Sequence, residues 1–270
     1  MQKTRFCAYK PKKFSLFMIK RFILLVLFST LWTGQEIQAS PISLFWTNCT
    51  TEVVNPGDGR INVDNFFSVF NRRGRGESFN PDVGFSVGLF EFHRVKFEAG
   101  IDYLGGADDP LYFNTKVSMD ENQLFKHAPS ISLGILNVGT RTHTQNRTNQ
   151  NVVEIVIGKT FEHFVVDELY IGGYSGSKAL GKTRQGFMIG AIKNFYKTKD
   201  CEGREYYRLQ LSGDWQSGSN FLGGGGVSIS YYFNPNIYLQ TGPVAFNTAR
   251  YNGSWKWSTQ IDITFPLFKP

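Results

Sequence analysis

Cysteine is scarce in this sequence, which has three cysteines among 270 residues. Cys7 lies near the N-terminus, so Cys49 and Cys201 are the two that remain for the rest of the chain. Small secreted scaffolds depend on several closely spaced cysteines, and structural zinc sites use pairs a few residues apart. Neither pattern is present, so we predict no metal site. The sequence leaves open whether Cys49 and Cys201 are bonded to each other.

Long apolar runs are also rare. The run from Phe22 to Trp32 is shorter than a transmembrane helix, which needs about 20 residues. Seven basic residues precede this run, and small and polar residues follow it up to Ala39 and Ser40. This layout is typical of a secretory signal peptide, which we predict over residues 1–39 with cleavage after Ala39. An uncleaved N-terminal anchor is the alternative.

No strong charge excess remains once this segment is set aside. The formal net charge of the whole sequence is +7, from 29 basic and 22 acidic residues. Residues 1–39 contain seven of the basic residues and one acidic residue, Glu36, which leaves 22 against 21. Electrostatic binding of nucleic acid is therefore not expected. The remaining length of about 231 residues suits one large all-β domain.

The clearest pattern in the sequence is a two-residue alternation near the C-terminus. From Trp255 to Phe265, one parity carries tryptophan, isoleucine, phenylalanine and a single threonine, while the other parity is entirely polar. Successive side chains of a strand point to opposite faces, so this strand has one apolar face and one polar face. Its length is that of a tilted membrane-crossing strand, roughly 9 to 11 residues.

This C-terminal pattern resembles the outer-membrane β-barrel proteins of Gram-negative bacteria. Their final strand commonly ends in an aromatic residue with apolar residues at alternate positions before it, and Phe265, Ile263, Ile261 and Trp257 match these positions. The resemblance implies that these four residues are an assembly signal read by the barrel-assembly machinery, and that the mature protein contacts outer-membrane lipid. The chain departs from the pattern because it continues past the aromatic residue through 266–270.

We predict an all-β fold, a closed antiparallel transmembrane β-barrel of about twelve strands, with ten or fourteen as alternatives. Residues 40–60 are expected to form a short irregular segment, residues 61–265 the barrel, and residues 266–270 a C-terminal extension. The predicted strands cover residues 61–70, 83–91, 94–104, 111–118, 129–140, 151–160, 166–175, 186–198, 204–216, 221–233, 236–246 and 254–265.

Charged residues on the polar parity of these strands are candidates for the lumen of the barrel. The best alternation runs from Val95 to Tyr103, where the polar face contains two acids and a lysine. The near balance of signs favours salt bridges across the lumen or a weakly selective pore. The acidic candidates are Asp64, Glu98, Asp102, Glu154, Asp214 and Asp262, and the basic candidates are Lys96, Lys116, Lys193, Arg208 and Lys256.

One segment matches the phosphate-binding pattern G-x-x-x-x-G-K-[ST], with Gly176, Gly181, Lys182 and Thr183 at its fixed positions. In a true P-loop the backbone amides hold phosphates and a helix follows. Residues 186–195 are glycine-containing and favour a strand instead. We therefore interpret the match as a chance occurrence in an outward-facing loop and predict no cofactor.

The histidines give little support for catalysis. The four histidines, at positions 93, 127, 143 and 163, stand apart in the sequence, and none has a serine two residues later. The outer-membrane phospholipases, which are twelve-stranded barrels, use such a histidine and serine on one strand, so the resemblance to barrel enzymes is incomplete at these positions. We predict no catalytic residue and keep a barrel hydrolase only as a remote alternative.

The sequence thus favours a passive, porin-like solute channel or a surface structural protein of the outer membrane. Twelve strands lie between barrels that side chains fill, at about eight strands, and barrels with open channels, at about sixteen to eighteen. The sequence therefore leaves open whether the lumen conducts. A secreted soluble β-sandwich or small β-barrel that binds a ligand is the alternative.

Overall fold

The computed structural model describes residues 42–69, 81–104, 110–142, 148–162 and 164–268. The predicted signal peptide, His143 and His163 lie outside these residues. The strands are β1 (Asp58–Phe67), β2 (Asp82–Phe92), β3 (Val95–Leu104), β4 (Leu111–Met119), β5 (Ser130–Gly139), β6 (Val152–Thr160), β7 (Glu168–Ser175), β8 (Gln185–Lys199), β9 (Glu205–Gln216), β10 (Gly224–Asn234), β11 (Ile237–Phe246) and β12 (Trp255–Pro266).

The twelve strands form one closed antiparallel barrel, which confirms the predicted fold class. Each strand pairs with its sequence neighbours, and β1 pairs with β12 to close the sheet. The closing register places Ile61 opposite Ile263 and Asn62 opposite Asp262. Closure leaves no unpaired strand edge, which is a requirement for a sheet in contact with hydrocarbon.

The predicted strand bounds agree with the structure to within three residues. The largest differences are at β1, which begins at Asp58 rather than at residue 61, and at β10, which begins at Gly224 rather than at residue 221. The first difference arises because the turn before β1 is already complete at Gly57, which has a φ of 87°. Residues 58–60 therefore belong to the barrel, and the irregular segment ends at Gly57.

The alternation of side chains decides which residues face the lumen. In β12 the buried positions are Lys256, Ser258, Gln260 and Asp262, whereas the intervening positions are partly or fully exposed. The alternation of burial recurs in β6, where Ile155 is 51% exposed and Glu154 is buried between two apolar inward residues, Val152 and Val156. The barrel is therefore predominantly polar inside and apolar outside, which is the reverse of a soluble β-sandwich.

The two ends of the barrel differ. The turn end, where β1 begins and β12 finishes, has connections at residues 93–94, 120–129, 161–167, 200–204 and 235–236. The loop end is the opposite end. Its described connections include a 3-10 turn at Lys178–Leu180 and a short α-helix at Ala249–Asn252. Among the described residues, no helix has the length and apolar character needed to cross a membrane.

Candidate functional site: a chain segment inside the lumen

The lumen is occupied by the chain itself. Residues 42–57, here called the lumen segment, run inside the barrel before β1 begins, and residues 44–51 are all buried. Phe45 and Cys49 are among the least exposed side chains of the molecule. The segment has no regular secondary structure, so its backbone amides and carbonyls need partners from the barrel wall. The wall residues that supply those partners are the centre of the site.

Asp214 of β9 binds the part of the lumen segment nearest the loop end. Its Oδ2 atom accepts hydrogen bonds from the amides of Phe45, Trp46 and Thr47 at 3.1, 2.9 and 2.7 Å. Hydrogen bonds to a charged acceptor are roughly twice as strong as neutral ones. One carboxylate therefore fixes three consecutive residues of the segment.

Trp46 anchors the same part of the segment through its ring. It makes edge-to-face contacts with Phe66 and Phe246, with ring centroids 5.3 and 4.9 Å apart. Its Nε1 atom donates to the carbonyl of Leu222 at 2.8 Å. The ring is thus packed on two strands and hydrogen-bonded to a loop-end connection, which is how a buried tryptophan satisfies its polar group.

Two glutamines bind carbonyl groups of the segment near mid-barrel. Gln240 Nε2 donates to the Leu44 carbonyl at 2.9 Å, and Gln260 Nε2 donates to the Phe45 carbonyl at 3.0 Å. Both glutamines face inward from neighbouring strands and are paired in the register of β11 and β12. The wall therefore reads the backbone of the segment from both its donor and its acceptor sides.

Near the turn end, the wall binds the segment through β3, β4 and β5. Lys116 Nζ donates to the Thr50 carbonyl at 2.6 Å, and Ser118 Oγ donates to the Thr51 carbonyl. Glu98 Oε2 accepts from the amide of Val54 at 2.9 Å. These contacts hold the segment to the opposite side of the barrel from Asp214, so the segment spans the lumen rather than lying along one wall.

Glycines in the wall make room for the segment. A Cβ atom added at Gly88 would lie 2.0 Å from the Asn55 carbonyl oxygen, and one at Gly226 would lie 2.7 Å from the Phe45 ring. Real Cβ atoms do not approach other atoms so closely. These positions thus tolerate no larger residue while the segment is in place, which ties the wall sequence to an occupied lumen.

Cys49 is an interior residue of the lumen segment and is a free thiol. Burial raises the pKa of this thiol well above its usual range, and the carboxylates of Asp214 and Glu154 act in the same direction against Lys116. Since the thiolate is the reactive form, we expect Cys49 to react slowly in this position. Cys201 is also free but exposed, at the tip of the β8–β9 hairpin. The two cysteines are therefore not bonded to each other.

The residues of the P-loop pattern fold over the loop end of the barrel. The amides of Gly176, Lys182 and Thr183 donate to the Arg184 carbonyl, the Tyr251 hydroxyl and the Ser219 carbonyl. The donors that a phosphate would need are thus used within the chain, and strand β8 rather than a helix follows. This geometry supports the interpretation of the match as accidental.

Residues 176–183, which carry the P-loop pattern, are here called the cap. Asn220 connects this cap to the neighbouring loop. Its Nδ2 atom donates to Tyr174 Oη and to the Thr183 carbonyl, each at 2.7 Å. Its Oδ1 atom accepts from the amides of Leu222 and Gly223 at 2.9 and 2.7 Å. Leu180 beneath it is fully buried. The cap is therefore a packed structure that narrows the loop end above the lumen segment.

Most of the charged lumen candidates lie inside the barrel. The buried set consists of Asp64, Glu98, Asp102, Lys116, Glu154, Asp214, Lys256 and Asp262. Arg60, which the sequence reasoning did not select, is also buried and forms an ion pair with Asp262. Arg60 lies just before the predicted start of β1, which is why the alternation pattern missed it.

Three basic candidates instead lie towards the turn end, outside the enclosed lumen. Lys96 and Lys193 pair with Asp120 and Asp167 at 2.7 and 2.6 Å, and Arg208 is exposed. The hydrogen bond from Lys193 lowers the pKa of the Asp167 carboxyl, and the Asn194 amide lowers it further. Lys96 and Arg208 have the inward parity, but they lie near the turn end of their strands. Lys193 instead has the outward parity, because the buried positions of β8 are the even-numbered residues 188–192.

The expected near balance of charge in the lumen is therefore wrong. With these three basic residues at the turn end, the buried acids outnumber the buried bases among the described residues. A further acid, Asp82, is fully buried at the first position of β2, one residue before the predicted strand. Sequence reasoning missed it because the alternation does not fix where a strand begins.

The remaining sequence candidates are spread over the two ends. His93 and His127 lie at exposed positions of turn-end connections. Trp257, Ile261, Ile263 and Phe265 occupy the outward parity of β12, and their role in assembly stays a prediction. After β12, the amides of Leu267 and Phe268 both donate to the Gly57 carbonyl, at 2.9 and 3.0 Å. The C-terminal extension thus begins by closing over the junction of the lumen segment and β1.

The lumen opens at the turn end into a polar pocket of about 250 Å³. Its charged lining residues are Glu52, Asp120, Glu121, Lys159 and Glu168. Lys159 is paired with Glu121 at 2.6 Å. This pocket, here called the vestibule, is therefore acidic, like the lumen behind it.

No protein-family model matches the sequence, and a comparison with curated proteins gives no match. Solved structures do resemble the chain. The KdgM porin is 8% identical with a TM-score of 0.45, covering 77% of this chain and 99% of the porin chain. The NanC porin in a rhombohedral crystal form is 10% identical with a TM-score of 0.36, covering 78% and 100%. With TM-scores below 0.5, these resemblances do not bear on function.

Proposed function

We propose that this protein is an outer-membrane β-barrel channel of the porin type whose lumen is closed by its own lumen segment. The observation that carries this proposal is the set of hydrogen bonds from inward-facing wall residues to the backbone of residues 44–54. Because these wall residues hold the segment inside the barrel, they regulate access to the lumen. Solute passage then requires that the segment be displaced.

The apolar exterior supports the membrane location. Large apolar side chains are exposed on most strands of the wall, including Phe113, Ile155, Phe187 and Ile229. In water such a continuous apolar surface would promote aggregation, whereas lipid covers it without cost. Export through the predicted signal peptide and recognition of β12 by the barrel-assembly machinery are part of the same proposal.

The polar interior supports a pathway for solutes over a purely mechanical role. A barrel that only anchors loops can fill its lumen with apolar side chains, as small barrels do. Here the interior contains buried acids, lysines and glutamines, which need water, ions or chain groups as partners. The lumen segment supplies part of these partners, and water would replace it when the segment leaves.

The test is to remove the segment and measure conductance in planar bilayers. We expect the intact protein to show rare openings and a variant lacking residues 42–54 to show frequent or permanent ones. Heat-modifiable migration on SDS gels would establish that the variant is folded. A folded deletion variant that remains silent, together with silence of the milder Asp214→Ala variant, would contradict the channel and favour a surface structural protein.

A further inference from the structure

The interior of the barrel carries an excess of negative charge. Among the described residues, seven buried carboxylates face three buried basic side chains. Even with every base paired, four of these carboxylates have no opposite charge among the described buried residues. An isolated buried charge is strongly unfavourable, so these groups need a proton or a mobile cation. The seven acids are Asp64, Asp82, Glu98, Asp102, Glu154, Asp214 and Asp262.

Each of the three bases has a partner, and in the described part of the chain only Arg60 donates to one of the seven acids. Arg60 donates to Asp262 and, at 3.1 Å, to Tyr238 Oη. Lys116 donates to the Thr50 carbonyl at 2.6 Å, and Lys256 donates to Ser68 Oγ at 3.0 Å. The Asp214 carboxylate is satisfied by amides of the lumen segment. The unbalanced charge is therefore concentrated on the wall formed by β1, β2 and β3.

Three aspartates lie together on that wall near the loop end. Asp64 and Asp82 are direct partners in the register of β1 and β2, so their Cβ atoms are about 5 Å apart. Asp102 pairs with Gly84, two residues along β2 from Asp82, and so lies diagonally from it. Like charges at such positions repel each other, which makes the arrangement unfavourable unless a cation compensates.

The surroundings of Asp82 show that the three aspartates lack a partner of opposite charge among the described residues. It is fully buried, and neither of its carboxylate oxygens has a hydrogen-bond partner among the described residues. Asp102, by contrast, accepts a hydrogen bond from Asn114. No group of three or more described acids, cysteines or histidines has the geometry to chelate a metal ion. A chelated metal thus does not fit the described residues, whereas a proton or a loosely held, hydrated cation can supply the missing partner.

The vestibule at the turn end adds to the negative electrostatic potential of the lumen. Its wall contributes Glu168, and its single lysine, Lys159, is already paired with Glu121. A low-dielectric channel with fixed charges of one sign concentrates ions of the opposite sign. A cation entering from the turn end thus meets acidic groups first at the vestibule and again near the loop end.

We propose that the pathway through this barrel serves small monovalent cations such as K⁺ and Na⁺, which Asp64, Asp82 and Asp102 hold transiently near the loop end. This rests on the channel function proposed above. It assigns a solute class to that channel and excludes acidic solutes, because the fixed charge repels them. The cation replaces the missing partner of Asp82 and relieves the repulsion between Asp64 and Asp82.

The test is the reversal potential of the variant lacking residues 42–54 under a tenfold KCl gradient. We expect K⁺ to be about threefold or more as permeable as Cl⁻, since fixed charge sets such ratios. The further substitutions Asp64→Asn and Asp82→Asn, made together, should lower this ratio about twofold or more. Asparagine keeps the size of each side chain and removes only the charge. Glu202→Gln, at an exposed acid of the β8–β9 tip, is the control and should leave the ratio unchanged.

The outcomes separate the two proposals. A reversal potential at zero or of the anion sign, or no effect of the double substitution, overturns the cation assignment while leaving a channel. No conductance at all contradicts the channel itself. In that case the ²³Na NMR line width of the folded protein decides the aspartate site. Line broadening that is lost in the double variant supports the site, and equal line widths overturn it.

Discussion

Asp214 shows how much of the closed state depends on one side chain. Replacing it with alanine leaves the amides of residues 45–47 buried without their acceptor, and an unsatisfied buried group costs about 1–3 kcal/mol. We expect Asp214→Ala to weaken closure by about 2 kcal/mol, or about 30-fold in the ratio of open to closed channels. Single-channel recording in planar bilayers measures this ratio.

The control for Asp214→Ala is Glu202→Ala, which removes an exposed acid at the tip of the β8–β9 hairpin and should not change the ratio. An Asp214→Ala channel with unchanged open probability would mean that the amide contacts do not hold the segment.

Gly88 offers a second, steric test of the same closed state. A methyl group at this position would lie 2.0 Å from the carbonyl oxygen of Asn55, and backbone cannot move aside as a flexible side chain can. We therefore expect Gly88→Ala to push the segment away from β2 and to raise open probability. Gly213→Ala is the matched control, because its added methyl group would meet Val227 at an ordinary distance of 3.4 Å. Equal behaviour of the two variants would count against a tightly fitted segment.

At this scale, the sequence predicted the direction of side chains well and their depth poorly. The two-residue period of β12 places Lys256 and Asp262 inward, as the structure has them. The same period also selects Lys96 and Arg208, which lie towards the turn end. The two-residue period predicts which face of the strand a side chain lies on. How deep that side chain lies in the barrel depends on how far each strand extends beyond its neighbours. That depends on the register of the closed barrel, which one strand's sequence does not contain.

The lumen segment behaves as an element of its own, and the chain carries a natural reporter for it. Cys49 is buried in the segment and Cys201 is exposed on the β8–β9 hairpin. We expect a thiol reagent added to the folded protein in detergent to modify Cys201 quickly and Cys49 slowly. Mass spectrometry of the digested protein measures both sites in one sample, so Cys201 serves as the internal control.

Displacement of the segment should change this pattern selectively. In Asp214→Ala protein we expect faster modification of Cys49 and an unchanged rate at Cys201, because only the segment moves. Rapid modification of Cys49 in the unaltered, folded protein would instead mean that the segment spends much of its time outside the lumen.

The path of the lumen segment could not be predicted from its sequence, and the reason is physical. The wall binds mainly its backbone amides and carbonyls, which every residue possesses, as at Thr50 and Val54. Such recognition leaves no periodic signal in residues 42–57. The partners of the segment, Gln240 and Gln260, look like ordinary polar positions of lumen-facing strands. Only the three-dimensional structure shows that both glutamines donate to neighbouring carbonyls of the segment, those of Leu44 and Phe45.

The whole molecule is organised inside out, with apolar side chains facing outward and charge facing the lumen, and this arrangement predicts how it responds to an added charge. Ile155 lies near the middle of β6 and is 51% exposed on the outer wall. If lipid covers that wall, Ile155→Lys should lower the free energy of unfolding by about 2–4 kcal/mol, because a lysine at mid-membrane depth is costly. Phe92→Lys, at an exposed position at the turn end of β2, is the control and should cost about 0–1 kcal/mol. Urea unfolding from liposomes measures both.

In a soluble barrel both substitutions would fall within about 0.5 kcal/mol of zero, as exposed positions in water usually do. A small and equal effect at the two positions would therefore remove the lipid-facing wall on which the channel proposal depends.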